Sequence, residues 1–329
     1  MTTLTMARAL NAGLRKAMER DRKVVLFGED IGRLGGVFRI TDGLQKDFGE
    51  HRVMDSPLAE SGIVGVAVGL AMRGYRPVVE IQFDGFVYPA FDQIVSQVAK
   101  MHRRSEGVTA MPIVIRIPFG GGIGAVEHHS ESPEAYFAHT AGLRVIAPSD
   151  PAAAYITIQQ AIACNDPVVY LEPKRRYWDK GEVDETLDAS DPRQVLTPWR
   201  ARVLRRGTDV TLACYGPMVR TCLEAAAASE EASIEVVDLQ SLSPLDIDTL
   251  AQSVEHTGRL VVVHEASGNV GIGAEVAARI SERCFYSLES PVLRVTGYDV
   301  PYPPSRLEEH FLPDLDRILD AVDRAMAFS

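Results

Sequence analysis

Glu60 stands in the run Asp55-Ser56-Pro57-Leu58-Ala59-Glu60-Ser61-Gly62-Ile63-Val64-Gly65, after a Ser-Pro helix-start signal and just before a glycine-rich apolar stretch. A carboxyl placed there has two uses. It can answer the partial positive charge of a helix N-terminus, with Ser56 as cap and Pro57 as first helical residue. It can also act as an acid or hydrogen-bond donor toward a bound group. Gly62, Gly65 and Gly69 are spaced three and four apart, so the helix has one nearly bare face. Each helical glycine costs ~1 kcal/mol relative to alanine, which implies that this face packs closely on another backbone or subunit. His128 and His129 are the second candidate pair, in a polar segment after a glycine run. An imidazole in such a loop is either a surface residue or a proton carrier near neutral pH.

Two glycine runs invite a nucleotide reading. Gly120-Gly121-Gly122-Ile123-Gly124 follows an apolar run but lacks the Lys-Ser/Thr of a P-loop, and Pro133 breaks the stretch where a helix should follow. Gly268, Gly271 and Gly273 lie between a strand pattern and a helix pattern. An acidic residue at Glu289 falls ~20 positions on, yet Cys284 to Ser290 does not read as the second strand of a dinucleotide unit. A nicotinamide dehydrogenase is therefore the weaker reading. Cys164, Cys214, Cys222 and Cys284 form no C-x-x-C pair and no zinc set with histidine. They read as small buried hydrophobes of a reducing compartment, which points to the cytoplasm.

These residues sit among alternating elements. Apolar, β-branched runs cover Val24 to Phe27, Val78 to Phe83, Pro112 to Ile117, Leu143 to Ala147 and Val168 to Leu171. Between them, helical spacing covers Glu60 to Arg73, Ala90 to His102 and Ala152 to Ala163, and an earlier helix runs through Met6, Leu10, Leu14 and Met18. From Trp178 to Trp199 the pattern fails amid Pro192, Pro198 and acidic residues. Alternation then resumes with strands at Val210 to Cys214, Ile234 to Asp238, Leu260 to His264 and Val292 to Thr296. Helices are expected around Val219 to Ala228, from Leu245, over Gly273 to Ser281 and over Asp314 to Met326. This is an α/β chain with mainly parallel sheets and helices on both faces.

At 329 residues, two domains are expected. No run approaches the ~18 apolar residues of a membrane span, and no apolar segment near Arg8, Arg15 and Lys16 suggests a secretory signal. A net charge of -11 argues against a broad nucleic-acid footprint. Neither a membrane nor a nucleic acid is an expected partner.

Several blocks occur together and in order: Phe27-Gly28-Glu29-Asp30, the Glu60 run, Val79-Glu80-Ile81-Gln82-Phe83 with Phe86, and Pro89-Ala90-Phe91-Asp92-Gln93-Ile94. They are followed by His129-Ser130-Glu131-Ser132-Pro133-Glu134, Asp166-Pro167 to Glu172-Pro173, and Pro301-Tyr302-Pro303. In this the chain resembles, over nearly its full length, the beta subunits of thiamine-diphosphate-dependent 2-oxo acid dehydrogenases. The resemblance implies a pyrimidine-binding thiamine-diphosphate domain over 1–177, a linker over 178–206 and a transketolase C-terminal-like domain over 207–329. It implies that Glu60 donates a hydrogen bond to a ring nitrogen of the thiamine aminopyrimidine, a role that needs a protonated carboxyl. Phe86 matches the aromatic that packs on that ring, with Leu58 and Gln82 at neighbouring cofactor positions. His129, rather than His128, matches the histidine that serves acyl transfer to lipoamide. A structural potassium ion would rest on backbone carbonyls of Ile113, Ala161, Ile162, Cys164 and Asp166.

The family's diphosphate half carries Gly-Asp-Gly, and this chain has none; Thr41-Asp42-Gly43 and Phe83-Asp84-Gly85 are the nearest. The resemblance therefore implies an alpha subunit that brings the diphosphate site and its magnesium, in an alpha2-beta2 heterotetramer that feeds a lipoyl acyltransferase core. The blocks Ser132 to His139 and Leu171 to Lys174 look closer to branched-chain members than to pyruvate members, and acetoin-type members are a further alternative. Phe86 departs from the tyrosine that branched-chain relatives often carry, and Tyr88 stands where they have an apolar aromatic. Loss of Glu60 or His129 would have marked a non-catalytic assembly subunit, and both are present. The missing Gly-Asp-Gly and the length argue against a self-sufficient transketolase-like enzyme.

Overall fold

The computed structural model of the chain describes residues 1–191 and 199–328, so Pro192 and Pro198 of the expected linker lie outside the described residues. Among these, the strands are β1 (Thr2–Thr5), β2 (Val24–Gly28), β3 (Val53–Asp55), β4 (Arg76–Glu80), β5 (Val114–Phe119), β6 (Arg144–Ile146) and β7 (Val168–Pro173). They continue with β8 (Lys180–Val183), β9 (Arg202–Arg205), β10 (Val210–Cys214), β11 (Ile234–Asp238), β12 (Ser241–Ser243), β13 (Leu260–Ser267) and β14 (Leu293–Gly297). The helices are α1 (Met6–Arg20), α2 (Leu44–Phe48), α3 (Glu60–Met72), α4 (Met101–Arg104), α5 (Glu134–Ala138) and α6 (Pro151–Ala163). After them come α7 (Met218–Ala228), α8 (Ile247–Thr257), α9 (Ile272–Arg283), α10 (Glu308–Phe311) and α11 (Leu315–Met326).

β5, β7 and β10 are buried along their whole length, so their side chains need not alternate and their sequences read as near-continuous apolar runs. They lie inside two sheets. The first has the order β12-β6-β7-β5-β4-β2-β3 and is parallel except where β12 meets β6. The second has the order β14-β13-β10-β11-β9 and is parallel except for β9. One apolar cluster runs from Ile115, Ile117 and Val169 of the first sheet to Ala213, Val237 and Val262 of the second.

The structure departs from the sequence reading at several elements, and β1, β3, β12 and α2 were not expected at all. The expected helix over Ala90 to His102 is a tight 3-10 segment (Asp84–Ala90), a wide π segment (Gln93–Val98) and the short α4. Pro89 has no amide hydrogen to continue a regular ladder, and the wide turn is seen in the Ala99 amide donating to Ile94 O at 3.0 Å. The expected linker contains β8, which pairs with β1 from Thr2↔Val183 to Thr5↔Lys180, and β9, which borders the second sheet. Val78 to Phe83 is strand only as far as Glu80; Gln82 and Phe83 lie in the turn beyond it.

Last, α3 begins at Glu60 with Ala59 as its cap residue, so Ser56 and Pro57 precede the helix. Its glycine face finds no close neighbour in this chain. A methyl built on Gly69 would meet nothing within 4 Å, and one on Gly65 would come no nearer than 3.8 Å to the Gln93 amide. Val66 and Met72 beside it are exposed.

Candidate active site

In an open parallel sheet the crevice for a ligand lies beyond the carboxyl ends of the strands. Four adjacent strands of the first sheet release the candidate residues there. β2 leads to Glu29, β3 to Ser56 through Glu60, β4 to Gln82 through Phe86, and β5 to the glycine run and His129. Glu60 is buried as the first residue of α3. Glu29 lies next to it and accepts the Ala59 amide, so a second carboxylate serves the same helix end. Burial, and then the charge of Glu60, holds the Glu29 carboxyl above the usual carboxylate range, while Glu29 Oε1 is buried with no partner. Gln82 Nε2 donates to Asp30 at 3.4 Å, which ties the β4 turn to the β2 turn. Leu58 is 79% exposed on the loop ahead of Glu60.

His129 meets Phe86 edge to face, with ring centroids 5.0 Å apart, and stacks on Phe83 at 4.0 Å with planes 19° apart. His128 turns its ring edge-on to His129 at 4.5 Å. Nδ1 of His129 is buried without a hydrogen-bond partner. The structure thus brings Phe86 and His129 together, and puts Gln82 in the turn that carries Phe86. Sequence reasoning passed over two residues here. Glu29 had a signal, as a carboxylate at the carboxyl end of β2; Phe83 had little, since it reads as one more apolar strand residue.

The glycine runs answer to the protein itself. Glu265 accepts the Gly121 amide at 2.8 Å, and Glu308 accepts those of Gly122 and Gly124 at 2.8 and 2.9 Å. Backbone amides of the kind that hold a phosphate in a nucleotide loop are here committed to carboxylates of the second half of the chain. A side chain on Gly121 would collide with Tyr302, its Cβ lying 1.9 Å from the hydroxyl. In the second run, the Gly273 amide donates to His264 Nε2 at 3.2 Å. His264 is buried and pushed down to about 4, so it accepts there as a neutral ring.

Glu134, on α5 just past the His129 loop, accepts the Tyr215 hydroxyl at 2.6 Å, and burial pushes its carboxyl up to about 7. Of the residues whose carbonyls are expected to hold potassium, Ala161, Ile162, Cys164 and Asp166 lie in or just after the last turn of α6, and Ile113 immediately precedes β5. Arg76 Nη1 donates to two of them, Ile162 O and Cys164 O, at 3.0 Å each, and Ile113 O accepts the Val168 amide at 2.9 Å. No group of three His, Cys, Asp or Glu that could hold a metal ion occurs among the described residues.

Comparison with known proteins agrees with this architecture. The family profile described as "Transketolase, pyrimidine binding domain" matches residues 2–179, and "Transketolase, C-terminal domain" matches 200–318. The "Pyruvate dehydrogenase E1 component subunit beta" of Leifsonia xyli subsp. xyli (strain CTCB07) is 60% identical over 99% of this chain and 96% of its own length. The chain belongs to the 2-oxo acid dehydrogenase beta-subunit family. Another member, the "3-methyl-2-oxobutanoate dehydrogenase subunit beta" of Mycobacterium tuberculosis (strain ATCC 25618 / H37Rv), is 54% identical over 98% of this chain and 92% of its own length. A solved "Split gene transketolase, inactive beta4 tetramer" shares the fold with a TM-score of 0.81 at 24% identity, covering 99% of both chains.

Proposed function

We propose that this family member supplies the pyrimidine side of a thiamine-diphosphate site in the decarboxylating component of a 2-oxo acid dehydrogenase complex, and works only with an alpha subunit. The observation that carries this reading is that adjacent strands of one sheet lead to a buried Glu60 and to a histidine packed against two aromatic rings. The residues suit the cofactor. Glu60 would hydrogen-bond the aminopyrimidine, Phe86 would pack on it, and Leu58 and Gln82 would border it. When bound, the thiamine group supplies the carbon nucleophile that makes decarboxylation of a 2-oxo acid accessible. His129, with Nδ1 uncommitted, would carry a proton or place charge during acyl transfer to lipoamide.

Several partners follow. An alpha subunit would bring the diphosphate and magnesium half that this chain lacks, in an alpha2-beta2 heterotetramer. The uncovered glycine face of α3 suits a helix of another subunit. For a lipoyl acyltransferase core, the candidate docking surfaces are the proline-rich segment from Tyr298 to Pro304 and the acidic C-terminal domain. A potassium ion at the end of α6 fits carbonyls of Ile113, Ala161, Ile162, Cys164 and Asp166. A carbonyl oxygen offers two lone pairs, so Ile162 and Cys164 can serve both Arg76 and an ion at this negative helix end. The four free thiols suit the reducing cytoplasm.

For substrate we propose branched-chain 2-oxo acids, on the Ser132 to His139 and Leu171 to Lys174 blocks. Pyruvate is the second reading, favoured by the 60% identical relative. The test is thiamine-diphosphate-dependent decarboxylation by the chain co-purified with an alpha subunit, offered 3-methyl-2-oxobutanoate or pyruvate. Preference for the former supports both reaction and substrate, and preference for pyruvate keeps the reaction alone. A stable heteromer inactive on both acids contradicts the reading.

A further inference from the structure

A catalytic imidazole is ordinarily oriented through its second nitrogen, by a carboxylate or carbonyl. His129 has no such partner at Nδ1. Besides the neighbouring His128 ring, what packs on it comes from one stretch, Phe83 through Phe86, of which the proposed chemistry otherwise uses only Phe86. Phe83 stacks flat on the imidazole and Phe86 closes its edge. Asp84, fully buried, accepts the amide of Glu131 at 2.7 Å, two residues past the histidine. Its other oxygen is paired with Lys174, also buried, at the end of β7. Between them, Gly85 lets the His128 backbone close in. A Cβ there would lie 2.3 Å from His128 O. Tyr88 adds a clasp, its hydroxyl donating to Glu131 at 2.8 Å.

We infer that Phe83, Asp84 and Gly85, anchored by Lys174, are positioning residues for His129: an aromatic stack and a buried ion pair do the orienting that a hydrogen bond to Nδ1 would otherwise do. The ring is fixed by packing, while the buried Nδ1 makes no hydrogen bond within the chain. This rests on the reading of His129 as the group that serves acyl transfer.

The test uses the assembled enzyme with its alpha subunit and thiamine diphosphate, and two reactions: acylation of a lipoyl domain, and decarboxylation with ferricyanide as acceptor. His129→Ala is the reference. Phe83→Leu removes the stack, Phe83→Tyr keeps it, and Gly85→Ala presses on the His128 carbonyl without removing any polar group. We expect Phe83→Leu and Gly85→Ala to lose lipoyl acylation by about tenfold or more. Ferricyanide-coupled decarboxylation should stay within about threefold, and Phe83→Tyr should stay near wild type in both reactions. Normal acylation by Phe83→Leu beside a crippled His129→Ala overturns the positioning role alone. Parallel loss of both reactions in Phe83→Leu, with Phe83→Tyr equally poor, overturns it too, since that is general structural damage. Normal acylation by His129→Ala overturns the reading of the site itself.

Discussion

At the scale of single residues, Glu60 and Glu134 are two buried carboxyls with different work. Glu60→Gln keeps the size of the side chain and removes its acid. With the proposed role, the variant should fold and assemble with an alpha subunit and lose about a hundredfold or more in turnover. Near-normal activity would sink the assignment. Glu134 bears on stability. Its carboxyl is raised from 4.5 to about 7 by burial, so between those values the folded chain holds a proton that the unfolded chain has released. The resulting stabilisation is complete below pH 4.5 and fades as pH rises through about 7. At one pH unit per ~1.4 kcal/mol, the fading amounts to about 3 kcal/mol. Glu134→Gln should flatten that slope, and urea melts from about pH 5 to pH 8 would show it. A variant that loses stability with pH as steeply as the wild type contradicts this. Glu60 was conspicuous in the sequence because it opens a glycine-rich apolar run. Phe83 was not, because only the folded turn shows which ring it lies against.

At the scale of elements, the centre of the first sheet carries a buried ion network. Arg116 on β5 reaches Glu172 on β7 with two bonds at 2.6 and 2.9 Å, and Glu80 on β4 at 2.6 Å. Tyr177 donates to Glu172 at 2.7 Å. Removing one partner leaves buried charge uncompensated, so Arg116→Met should cost about 3–5 kcal/mol, read from denaturant midpoints. A loss well below 1 kcal/mol would mean that the acids find other partners or take up protons. The strands themselves were legible because β2, β5, β7 and β10 are near-continuous apolar runs. The network was not, since its three charges sit far apart in sequence and meet only in register. β8 was missed for a different reason. Lys180–Val183 is a short, polar strand that among the described residues pairs only with β1, and a strand with so little buried surface leaves hardly any hydrophobic pattern. The π segment after Phe91 was hidden because its apolar spacing fits an ordinary helix.

At the scale of the whole molecule, the two sheets share an apolar cluster, and the first glycine run is fastened by Glu265, Glu308 and Tyr302. Gly121→Ala should force the Tyr302 hydroxyl aside and loosen that seam. The expected loss is about 1–3 kcal/mol, as for overpacking elsewhere, measured by chemical denaturation. Unchanged stability would show that the seam yields without cost. The two-domain plan was visible in the resumed alternation after Trp199. The seam was not, because glycine runs after strands more readily suggest a ligand loop than a socket for the protein's own carboxylates.

One feature of the first sheet bears on how the chain is made. Its outer strand, β12, comes from Ser241–Ser243, well inside the second half, and bonds antiparallel to β6. During synthesis, β6 must therefore wait for almost a hundred further residues before its free edge is covered. Until then it presents unpaired amides and carbonyls to any other nascent chain. A gene cut at the apparent domain boundary would make that interval permanent, so the natural fragment for expression is the whole chain.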